Sequence, residues 1–199
     1  MKQVRKLRAG LVQLTGTVRR YPLTILLFVL LAIVNAMEIQ SGFTLYSKMV
    51  YTLSFGIFLS LAAQAVYERF FDSKAVRIFL LSGTTGLTAV YYLILSGGEK
   101  VNRIASIRTI AALFILFIAF LWIPTIKSRV TLNESFLAVF KAFFQAAFYS
   151  GVLFLGVSLI IMAINTLLLP VEGNVLSHAA NIIFSILASV YLLSLLPIF

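Results

Sequence analysis

The chain has no cysteine and a single histidine among its 199 residues. That excludes a disulfide framework, a thiolate metal site and an imidazole cluster, and it leaves the redox compartment open. Acidic residues are also scarce. The six of them, Glu38, Glu68, Asp72, Glu99, Glu134 and Glu172, all fall in connectors or at the edges of apolar runs, so no carboxylate relay crosses an apolar interior. The connectors are too short to hold a soluble catalytic domain. No nucleophile, base and orienting group can be placed together, so the chain reads as neither an enzyme nor a holder of metal or cofactor.

What is present is apolar sequence. Hydrophobic residues make up 61% of the chain and charged residues 11%, with a mean hydropathy of +1.06. That leaves too little polar surface to coat a soluble domain. Six runs, at about 22–37, 49–67, 78–96, 109–126, 147–169 and 179–197, are each about long enough to cross a bilayer. They lack the two-residue alternation of barrel strands, so they read as helices. The expected fold is an all-α polytopic membrane helix bundle over 21–199, preceded by a basic segment over 1–20. The four prolines, Pro22, Pro124, Pro170 and Pro197, all sit at run boundaries, where a missing N–H costs little. The third run is the most ambiguous. Its Ser82-Gly83-Thr84-Thr85-Gly86 stretch reads either as close packing through Ser82 and Gly86, which is favoured, or as a local break lining a cavity.

The net charge of +10 sits at the ends of apolar runs rather than on a polar face, which argues for membrane topology and against nucleic acid. With six spans, twelve Lys and Arg fall on the N-terminal side and four, Lys48, Lys100, Arg103 and Arg108, on the other. The N-terminus is therefore expected in the cytoplasm. A five-span alternative gives the same imbalance, and the uncharged run from Ile78 to Leu95 decides for six. Val4, Leu7, Leu11, Leu14 and Val18 recur every three or four residues among the first cations. This stripe reads either as an amphipathic helix lying on anionic headgroups or as a positive flank orienting the first span. A cleavable signal ending near Val34-Asn35-Ala36 is a third and weaker reading.

Two polar groups stand out. Gly151, Ser158 and Asn165 repeat every seven residues on the fifth run, and His178, Asn181, Ser185 and Ser189 form a stripe on the sixth. A short connector makes these runs antiparallel neighbours, so Asn165, His178, Asn181 and Ser185 form the candidate polar cluster near the outer face. They serve either as interhelical hydrogen-bond glue, the favoured reading, or as a ligand-binding or pH-responsive pocket. Asn133, Glu134 and Lys141 form the candidate interfacial group, with Asn133 capping a helix and Lys141 reaching toward headgroups, a bilayer thickness from the cluster.

From Ser106 onward, Trp122-Ile-Pro124, Asn133-Glu134-Ser135-Phe136, Lys141-Ala-Phe-Phe144 and Leu195-Leu-Pro197 follow one another in an order that resembles the bacterial multi-pass family called domain of unknown function 4153. The resemblance implies a bacterial inner-membrane protein, usually longer than this chain, and it supplies no active residue. The abrupt apolar ending is read as a truncation or as a docking end, with self-association or a missing C-terminal region as the expected partner besides the lipid bilayer. The functional expectation is a noncatalytic anchoring, sensing or assembly module, with a transporter or channel subunit as the alternative.

Overall fold

The computed structural model describes residues 15–41, 46–97, 103–126, 128, 130–167, 170 and 172–197. Its helices are α1 Pro22–Ser41, α2 Ser47–Phe70, α3 Lys74–Ser96, α4 Arg103–Trp122 with a 3-10 extension Ile123–Thr125, α5 Leu132–Leu167 and α6 Asn174–Leu195. All six are long and apolar enough to cross a membrane, and the described residues contain no strand. Residues 15–20 are helical too. Most of the N-terminal amphipathic stripe lies outside the described residues, and Val18 is exposed.

The bundle is arranged around α2. It packs against α1, α3 and α4, while α6 packs against α1 and α5. Of the six helices, α2 is the least apolar and has the largest buried share. Its inner face is Thr52, Gly56, Ser60 and Gln64, one residue per turn. This order suits a membrane, where apolar side chains gain nothing by facing inward and small or hydroxyl residues let backbones approach. Ser60 shares a hydrogen bond with Thr24 of α1. Other buried hydroxyls donate to carbonyls one turn back in their own helices, as Thr52 does to Lys48 and Thr88 to Thr84, both at 2.8 Å. Tyr91 of α3 donates to Thr109 of α4 at 2.6 Å, and Thr109 passes the chain on to the Ala105 carbonyl at 2.8 Å.

The helix α3 runs unbroken through residues 82–86, so the expected alternative of a local break is not what forms. The packing face also differs from the expectation. Ser82 and Gly86 are exposed, the buried residues of α3 are Thr84 and Thr88, and Thr88 meets α2. The partner is Gly56. A Cβ there would lie 2.8 Å from Thr88 Cγ2 and 2.9 Å from its Oγ1, so the glycine is what allows the two helices to meet. The threonines win because their hydroxyls satisfy themselves on their own helix, freeing the methyls to pack.

Among the described residues, the apolar core joins Tyr21, Phe120, Leu121, Val139, Ala142, Leu193 and Leu196 at one end of the bundle. There the start of α5 is fastened to α4 by Ser135, whose buried hydroxyl donates to the Leu121 carbonyl at 3.0 Å. The helix itself begins with a reciprocal cap: Thr131 N–H donates to Glu134 Oε2 at 2.8 Å and Glu134 N–H to Thr131 Oγ1 at 3.3 Å. The sequence expectation gave this role to Asn133. Thr131 takes it because only a residue three positions before a Glu can exchange both bonds, and Asn133, one position ahead of Glu134, cannot.

Candidate functional site

Two polar sites occupy opposite ends of the bundle. At the end where α1 begins, Arg20 meets Glu68 of α2 in a two-pronged ion pair, Nε to Oε1 at 2.7 Å and NH2 to Oε2 at 2.6 Å. The rest of the guanidinium fork reaches the end of α6, with NH1 donating to the Leu196 carbonyl and NH2 to that of Pro197, both at 2.9 Å. Gln64, one turn before Glu68, donates to the same Oε1 at 2.8 Å. Burial works against the Arg20 charge, but the hydrogen bond to Glu68 and its charge outweigh that and raise the pKa. Burial also pushes the neighbouring Tyr21 hydroxyl well above its usual range, opposed by Arg20 and reinforced by Glu68, so it stays protonated.

Two further arginines repeat the pattern. Arg69 Nε donates to the Ile126 carbonyl after α4 at 2.7 Å. Arg77 NH2 donates to the Arg19 and Arg20 carbonyls at 2.7 and 2.9 Å, and its guanidinium lies 5.6 Å from the Tyr67 ring centre. Each cation therefore answers backbone carbonyls that a helix end leaves without an intrahelical donor. With Ser135 on Leu121, these contacts tie together the ends of all six helices on that side.

At the other end, an open groove of about 330 Å³ runs between α1 and α6, lined by Asn35, Glu38, Ile39, Ser177, Ala180, Asn181 and Ser185. Asn181 Nδ2 donates to the Ala32 carbonyl of α1 at 2.7 Å, and Ser185 Oγ donates to Asn181 Oδ1 at 2.9 Å. Residues Ile182–Ala188 of α6 form a π-helical segment, bridged on its buried side by Ser189, whose hydroxyl donates to the Phe184 carbonyl at 3.3 Å. Such segments carry an extra residue per turn and recur where helices build sites.

Of the expected polar cluster, Asn181 and Ser185 come together, and their bonds run toward α1. His178 is half-buried. The register between α5 and α6 is set by Tyr149 against Tyr191, Phe154 against Phe184, and Gln145 donating to the Tyr191 hydroxyl at 3.2 Å. Continued outward, it puts His178 level with Ile160 to Met162, while exposed Asn165 lies about one turn beyond, near Gly173 to Val175. Of the interfacial group, Asn133, Glu134 and Lys141 are exposed at the arginine end, and Lys141 neighbours Ala142 of the apolar core.

Sequence reasoning passed over Arg20, Glu68, Asn35 and Glu38. A signal existed for the first pair: Glu68 is an acid at the end of a span whose side of the membrane is otherwise strongly basic, with Arg69 and Arg77 close by. Glu38 carried a weaker one, three residues after Asn35 and so on the same helix face.

These features define a multi-pass, all-α membrane protein. The chain matches no family model, and no curated protein or solved structure is significantly similar to it.

Proposed function

We propose that the chain is a noncatalytic module of the bacterial inner membrane that assembles with further membrane-spanning helices, its arginine-rich end in the cytoplasm. One observation carries this reading: Gly83 and Gly86 of α3 and Gly151 and Gly156 of α5 have no neighbouring atom within 4 Å of where a side chain would begin. Glycine weakens a helix, and in a membrane it is useful where another backbone comes close. Gly56 has such a partner in Thr88, whereas these four have none within 4 Å, and Gly83, Gly86 and Gly156 are exposed. The helix α5 agrees, since it buries nothing beyond Ser150. The charge imbalance supports the orientation, and the resemblance to domain of unknown function 4153 supports the bacterial setting. The alternative, a transporter or channel subunit, draws on the polar groove and its π-helical wall.

Because the chain has no cysteine, single cysteines can report on assembly directly. Placed at Ser82 and Ala89 of α3 and at Leu155 and Leu159 of α5, all exposed, they are expected to give bifunctional-maleimide products in native membranes. Neighbouring positions on the opposite face of each helix should give none. The second thiol comes from a second copy of the chain, so the absence of any product at all four positions contradicts self-association through these faces.

A further inference from the structure

We propose that the groove between α1 and α6 is a binding site for a primary ammonium group. Its chemistry is one-sided. Glu38 offers a carboxylate, which only accepts, and it has no hydrogen bond or ion pair among the described residues. No Lys or Arg is among the described residues that line the groove. Asn181 is held rigid by its bonds to Ala32 and Ser185; since Ser185 occupies one lone pair of Oδ1, the other is open to a donor. Asn35 and Ser177 add further acceptors on the two walls. A partly buried carboxylate among amide and hydroxyl oxygens is matched by a compact cation with several N–H donors, and an ammonium supplies three.

Position and size agree with this. Glu38 lies about one turn from the end of α1, and Ser177 about one turn from the start of α6, so the groove opens at headgroup depth, where an amine-bearing lipid can present its ammonium and leave its chains outside. The volume of about 330 Å³ is at the small end of ligand pockets. The same chemistry also fits a soluble primary amine.

The test uses the full chain in nanodiscs made either of phosphatidylcholine or of an equal mixture with phosphatidylethanolamine. Retained lipid is read by native mass spectrometry, and ethylamine binding by thermal shift. Wild-type protein is expected to retain the ethanolamine lipid over the choline lipid, and Glu38→Gln, which keeps shape and removes charge, should lower that preference about tenfold. Equal lipid retention together with an ethylamine shift that Glu38→Gln abolishes identifies a soluble amine as the source instead. Ser177→Leu, at an exposed position on the groove rim, should have the same effect by filling the groove, so the proposal stays testable if Glu38→Gln folds poorly. If neither probe distinguishes wild type from Glu38→Gln or Ser177→Leu, the proposal is overturned.

Discussion

Replacing Arg20 with alanine is expected to destabilise the bundle by about 2 to 3 kcal/mol in a detergent unfolding titration, somewhat less than for a fully buried pair. The loss has two parts. Glu68 is left partly buried with only Gln64 as donor, and the Leu196 and Pro197 carbonyls lose the guanidinium that answers them. The second part has its own readout, since amide exchange over the last turns of α6 should quicken in Arg20→Ala and remain slow in Glu68→Gln. Arg20→Lys should recover only a fraction, because a lysine cannot span a carboxylate and two carbonyls with one planar fork. Wild-type stability in Arg20→Ala would mean that the ion pair is ornamental and that the apolar core beneath it holds the end together alone.

The second large effect is expected at Gly56. Alanine places a Cβ against Thr88 Cγ2 and Oγ1 at 2.8 and 2.9 Å and against Leu27 Cδ1 at 3.3 Å. Thr88 cannot swing away cheaply, being β-branched and bonded to the Thr84 carbonyl. Despite the better helix propensity of alanine, a net cost of about 1 to 2 kcal/mol is expected, rising to about 3 for Gly56→Leu as α3 is pushed off α2. The distinguishing result is rescue. Thr88→Ala removes both clashing atoms, so Gly56→Ala with Thr88→Ala should be more stable than Gly56→Ala alone. Strictly additive losses would place the clash elsewhere.

The fold was legible because a bilayer imposes it. Uncharged runs of sufficient length with prolines at their borders leave the backbone no option but a helix, and all six appear, five of them with ends shifted by at most six residues; the fifth starts at Leu132 rather than near residue 147, because no proline or glycine separates the expected interfacial helix from the span and the two run on as one. Which face of a helix turns inward was much less legible. In a membrane both faces are apolar, and the choice between Ser82/Gly86 and Thr84/Thr88 rested on self-satisfied hydroxyls meeting one glycine on another helix, information that no local pattern holds. The arginine cluster was hidden for a related reason. Arg20, Arg69 and Arg77 read as topology markers because their role lies in carbonyls up to 177 positions away. Asn181 and Ser185 could be found because their four-residue spacing is local. Glu38 was harder to find: its spacing to Asn35 is local, but the wall facing it comes from α6.

Six helices cross the membrane and gather their ends at one arginine-rich face, and α3 is the helix on which this arrangement turns. The most direct measurement is labelling of single cysteines at Ser73 and Ser96, which flank and end α3, with a membrane-impermeant maleimide in intact and permeabilised vesicles. Six crossings predict that the two positions react from opposite sides, with Ser73 on the same side as residues of the arginine cluster. Reaction of both from the same side would contradict the six-helix arrangement and restore five crossings.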